Sequence, residues 1–187
     1  MVKPEKRKKV QGFLEGKLRF DSNPDGKHES FSIPKKLAIH LPKQLPVNLQ
    51  HGRGDVIPHI IRQIYQFLGL TYKEFVIGKN CNLSASVIYR ALLWKHLQDF
   101  VSLYGENRST YSAILEQYLV SSHASLDIVR TEFGIDQPNK YEQQIAMRIS
   151  AQAESLSKKT NDFESVFEGK LSDFVNKLTK SFEENPS

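Results

Sequence analysis

The sequence predicts a mainly α fold: a small β-hairpin region at the N-terminus, short helices in the middle, and long C-terminal helices that form a bundle or a dimerisation element. Three observations carry this expectation. Apolar residues recur every three or four positions through most of the chain beyond residue 55, proline and glycine punctuate that pattern at intervals suited to helix ends, and only the first fifty residues mix turn-formers with short alternating runs. The 187 residues are 39% hydrophobic and 25% charged, enough apolar material to bury a core.

The elements are expected in this order. Residues 1–9 form a basic disordered tail, and 10–54 a β-hairpin region. In that region a strand over Val10–Phe20, with Phe13, Leu14, Leu18 and Phe20, turns through DSNPDG onto Lys27–Ile33. A third short strand is expected at Lys36–Leu41, before Pro42 and Pro46 break regular structure. Residues 55–104 are a region of short helices. Asp55 caps the first, which carries Pro58 in its first turn, sets Ile57, Ile60, Ile61, Ile64, Phe67 and Leu68 on one side, and ends at Gly69. A second helix spans about Thr71–Gly78 and a third Ser84 to about Tyr104.

Residues 105–187 are a helical interaction region. One helix is expected from Ser109 to Phe133, followed by a single long helix or two collinear ones over Lys140–Glu184. The stripe Ile145, Ile149, Ala153, Leu156, Thr160, Phe163, Phe167, Leu171, Phe174, Leu178, Phe182 advances ten steps in 37 residues. That is nearer the period of a straight helix than that of a left-handed coiled coil. So long a stripe must be covered, either within an intramolecular bundle or by a second copy or another partner. The expected interface is Leu156, Phe163, Phe167, Leu171, Phe174, Leu178 and Phe182, with a homodimer favoured and an additional protein partner left open.

Charge divides the chain. Residues 1–95 hold 17 Lys and Arg against 7 Asp and Glu, and residues 96–187 hold 9 against 14, so a half of net charge +10 precedes one of −5. A cationic half suits a polyanion. The first residues are basic, but Gly12, Glu15, Gly16 and Lys17 interrupt any signal-like apolar run, no stretch is long enough to span a membrane, and Cys81 is the one cysteine. A soluble cytoplasmic protein without a membrane role, disulfide framework or Cys-rich zinc site is expected.

Catalytic constellations are absent from the sequence. The six histidines, at 28, 40, 51, 59, 96 and 123, form no HxH or HExxH pair, and no Gly-rich phosphate loop or Gly-x-Ser-x-Gly is present. Asp21, Asn23, Asp25 and Gly26 open like a calcium loop, but Ser32 stands where the closing Glu belongs, which favours a hairpin turn. No metal, no cofactor and no enzymatic activity are expected.

The functional expectation rests on Leu83–Leu92, LSASVIYRAL. Leu83 closes a turn into the core, Ser84 caps the following helix, and Ile88 and Leu92 form its buried stripe. Ala85, Ser86, Tyr89 and Arg90 then face outward with the chemistry to meet a major groove: bidentate or phosphate contacts from Arg, hydroxyl bonds from Ser and Tyr. This segment resembles the recognition helix of bacterial helix-turn-helix proteins of the Cro-like, LacI-like and resolvase-like groups. Leu83, Ser84, Ile88 and Arg90 match, Val87 stands in the Thr position, and Leu70–Phe75 is similar to the scaffold helix. The resemblance covers about Ile57–Lys95; the turn is some two residues longer than usual, and Val76 replaces a small residue. It implies sequence-specific or structural binding of double-stranded DNA by a dimeric regulator or plasmid or phage accessory factor. Ser84, Ala85, Ser86, Tyr89 and Arg90 would lie at the groove, with Lys73, Lys79, Lys95, Lys6, Arg7, Lys8 and Lys9 on phosphates.

A weaker resemblance joins residues 35–45 to ribbon-helix-helix repressors, with Lys36, Ala38 and His40 toward bases and Leu37, Ile39 and Leu41 toward the core. Pro46 would fall inside the first helix of that fold. The competing reading, without nucleic acid, is a helical protein–protein adaptor or assembly subunit.

Overall fold

The computed structural model describes residues 1–24, 28–38, 47–50, 54–80, 82–106, 119, 123–134, 138–159 and 165–183. Small N-terminal strands precede a run of longer helices. In chain order the elements are β1 (Glu5–Lys6), α1 (Arg7–Gln11) with a π-helical continuation (Gly12–Lys17), β2 (Asp21–Asn23), β3 (His28–Ser32), α2 (Lys35–Ala38), β4 (Val47–Gln50) and β5 (Asp55–Val56). There follow α3 (Pro58–Phe67), α4 (Tyr72–Lys79), α5 (Ala85–Glu106), α6 (123–133), α7 (Lys140–Lys159) and α8 (Ser165–Glu183).

The first residues are ordered onto the body, unlike the expected tail. Glu5 and Lys6 pair antiparallel with Val56 and Asp55, and the backbone N–H of Lys3 donates to the Tyr72 hydroxyl at 3.2 Å. Val10–Phe20 is helical in place of the expected strand. Val10, Phe13, Leu14 and Leu18 lie three, one and four apart, a helical spacing that puts all four on one buried face. The run ends at Arg19, whose φ of 54° is left-handed. Phe20 is then free to enter the core while the chain leaves as β2.

The hairpin exists, displaced along the chain. β2 pairs antiparallel with β3, Asp21 opposite Ser32, and β3 pairs with β4, Phe31 opposite Val47. β3 alternates in burial, with Phe31 and Glu29 buried. The strand expected at Lys36–Leu41 is instead the short helix α2 as far as Ala38; His40 and the rest of that segment lie outside the described residues. Lys36 sits on α2 with its Nζ 3.0 Å from Glu132 of α6, so the ribbon pairing through Lys36 is not formed.

The middle helices follow their end signals. Pro58 occupies the first turn of α3, but Ile57 is the N-cap, because Asp55 belongs to β5 and pairs with Lys6. Gly69, at φ 68°, ends α3. Thr71 and Glu74 close a reciprocal capping box on α4: the hydroxyl accepts from Glu74 N–H and the carboxylate from Thr71 N–H.

The C-terminal segment is neither one helix nor a collinear pair, since α8 packs back on α7 and both reach α5. Ile145, Ile149 and Ala153 of α7 and Leu171, Phe174, Leu178 and Phe182 of α8 are buried within the chain. These four α8 residues, expected to meet a second copy, are covered by the chain's own helices: Phe174 edge-on to His123 of α6, Phe182 under Arg90 of α5. Leu156 is half-buried, and Phe163 and the Phe167 side chain lie outside the described residues. No described helix is long and apolar enough to cross a membrane.

Candidate nucleic-acid interface

The segment expected to read DNA begins as its sequence implies. Leu83 is buried, and the Ser84 hydroxyl accepts from Val87 N–H at 3.3 Å, capping α5. The surroundings of that cap come from distant parts of the chain and leave no local signature. Glu142, at the start of α7, accepts from Ser84 N–H at 2.6 Å through one carboxylate oxygen and from Asn139 N–H at 3.0 Å through the other. The Asn139 amide donates to the Asn82 carbonyl at 2.9 Å, and Lys17 Nζ donates to the carbonyls of Gly78 and Leu83 at 2.9 and 2.7 Å. The turn between α4 and α5 is therefore tied to two other elements, and its free backbone donor already faces a carboxylate in the place expected for a phosphate.

The outward face of α5 is not outward. Ser86, Tyr89 and Arg90 are 3%, 2% and 5% exposed, and every residue from Ser86 to Trp94 is buried. Ala85 is half-buried. Tyr89 donates its hydroxyl to the Leu18 carbonyl and stacks on Phe133 at 4.9 Å, and burial pushes its phenol far above the ordinary tyrosine range. The Arg90 guanidinium lies 5.2 Å from the ring centre of Phe182. The reason is in the composition of the helix: Val87, Ile88, Ala91, Leu92, Leu93, Trp94 and Leu97 leave no wide polar side, and a helix apolar all round becomes the centre of a bundle. That signal is present in the sequence, alongside a motif spacing that points the other way. The recognition-helix contacts assigned to Ser86, Tyr89 and Arg90 are thus not available on this surface.

The flanking cations divide into two sets. Arg7 pairs with Glu29, which also accepts from Gln11; Lys79 pairs with Glu5 and is largely buried; Lys95 pairs with Asp99 one turn on. Lys6 reaches Asp55 at 3.0 Å but keeps most of its surface in water. Lys8, Lys9 and Lys73 are exposed and make no ion pair with a described residue. They lie along one structural unit, because the N-terminal segment is laid on α4 through Lys3–Tyr72 and Glu5–Lys79 and continues directly into α1.

Among the described residues no group of His, Cys, Asp and Glu is placed to hold a metal ion. Asp25 and Gly26 of the calcium-like loop, and Cys81, lie outside them. No family model matches the chain, and neither a curated protein nor a solved structure is significantly similar to it.

Proposed function

We propose that this protein acts by binding rather than catalysis, and that it holds double-stranded DNA by the phosphate backbone along its N-terminal edge. The contacts come from Lys6, Lys8, Lys9 and Lys73, without base readout by α5. The supporting observation is the contrast in pairing: Arg7, Lys79 and Lys95 are each matched to a carboxylate, whereas Lys8, Lys9 and Lys73 stand in water with their charge unmatched by a described residue. Cations so placed release counterions from a duplex and give affinity without sequence preference, with dissociation constants on the order of 10⁻⁴–10⁻⁶ M at physiological salt.

Fluorescence anisotropy against a labelled duplex tests this reading. Affinity is expected to fall steeply with salt, and Lys8→Glu/Lys9→Glu/Lys73→Glu to flatten the log–log salt slope by about three contacts' worth. Equal binding by the triple variant and the natural chain would refute it.

A second reading, the helical adaptor, draws on a different feature. Met147 is 73% exposed on the outer side of α7, beside Ala146, Ala151 and Phe182 in an open groove, and such a patch suits a protein partner. Loss of DNA binding in the triple variant would favour the first reading; a duplex-indifferent protein would favour the second.

A further inference from the structure

The covered strip of α5 has two features uncommon in a packed core. Ser86 and Arg90 lie one turn apart on the same side of the helix, both almost fully buried, and the Ser86 hydroxyl oxygen has no hydrogen-bond partner. A buried hydroxyl without a partner is unfavourable, and water or a ligand oxygen would relieve it. Arg90 is roofed by the ring of Phe182, in the last turn of α8. The same ring forms part of the open groove that Pro138, Gln143, Met147 and Thr179 also line, so its far side faces solvent space.

The cover is thin at this point. α8 is held along its length by Leu171, Phe174 and Leu178, all buried, so its final turn can lift while the rest of the helix stays docked. Terminal turns are the cheapest parts of a fold to open. We infer that Phe182 is a plug over a second phosphate-binding strip, formed by the Arg90 guanidinium and the Ser86 hydroxyl. The strip becomes available to a duplex backbone when the last turn of α8 swings out. Glu142 holds Ser84 N–H throughout, so the anion is met by side chains and not by the helix terminus. This inference rests on the DNA reading above, and adds to the N-terminal edge a contact that the closed molecule withholds.

The test uses the full chain and a short labelled duplex at low salt. Phe182→Ala is expected to bind about tenfold more tightly than the natural protein, as removal of a competing closed state predicts. Arg90→Gln added to it should return the affinity to the starting value. Phe182→Leu, which keeps an apolar cover but loses the ring face above the guanidinium, should give a smaller gain, with helical circular dichroism unchanged. Natural affinity in folded Phe182→Ala and Phe182→Leu, or a gain that survives Arg90→Gln, would overturn the plug. These outcomes are separable from the N-terminal edge: loss of binding in the lysine triple variant with no gain in Phe182→Ala leaves the proposed function standing and removes only the plug. A gain in Phe182→Ala that depends on Arg90, with the lysine variants silent, keeps the plugged strip and removes the N-terminal edge.

Discussion

His96 carries its Nε2 into the core beside α3, edge-on to Phe67 at 5.7 Å and without a hydrogen-bond partner for that nitrogen. Burial lowers its pKa below the ordinary histidine value; Asp99 opposes the shift and Lys95 adds to it. The folded chain therefore prefers neutral imidazole, while the unfolded chain takes up a proton near the ordinary value, so His96 contributes stability above that value and loses it as pH falls. Thermal melts from about pH 7.5 to about pH 5.5 are expected to show a declining Tm, and His96→Gln to flatten that decline. A variant that melts with the natural pH dependence would exclude His96 as its source. His123 is shifted the same way, by burial first and then by Lys177, but it is the more exposed of the two and contributes less. Ser84 illustrates what one residue type can convey: its capping role is legible because a hydroxyl before an apolar run has one favourable use. Arg90 is not legible, since a guanidinium serves equally at a groove or stacked beneath a ring.

At the level of elements, boundaries are easier to read than faces. Gly69 is expected to end α3, and the structure adds why no other residue serves there. Its φ is +68°, and a β-carbon at that position would stand 2.3 Å from the Ala91 carbonyl oxygen and 2.8 Å from the Lys95 β-carbon. Gly69→Ala combines a left-handed penalty of ~1–2 kcal/mol with overpacking of ~1–3 kcal/mol. Urea denaturation should report a loss of at least about 2 kcal/mol, and an unchanged midpoint would contradict the close packing of α3 on α5. Capping signals such as Thr71 and Glu74 are local chemistry and survive any tertiary context. The segment Val10–Phe20 misleads because its glycines suggest a strand edge, whereas its apolar spacing is already helical. α8 has a readable stripe, but a stripe states only that something must cover it.

For the whole molecule, the opposite charges of the two halves are partly a matter of internal attachment. Glu132 of α6 meets Lys36 at 3.0 Å and Arg19 at 3.7 Å, and Arg148 of α7 binds Glu74 and the Gly69 carbonyl. Exposed pairs of this kind add little stability individually, so their value is in orienting the acidic helices on the cationic half. With Leu171, Phe174, Leu178 and Phe182 buried inside the chain, light scattering is expected to return the mass of one chain. A stable dimer would mean that another surface, such as the groove beside Met147, joins the copies. The sequence by itself determined that the chain is mainly helical, where α3, α4 and α5 start and where α3 stops, because caps, glycines and prolines act within a few residues. Only the tertiary structure decided that α5 is the centre and not an edge, that α8 covers Arg90, and which lysines remain in water. Burial and charge pairing depend on what the rest of the chain brings alongside, and no local pattern specifies that.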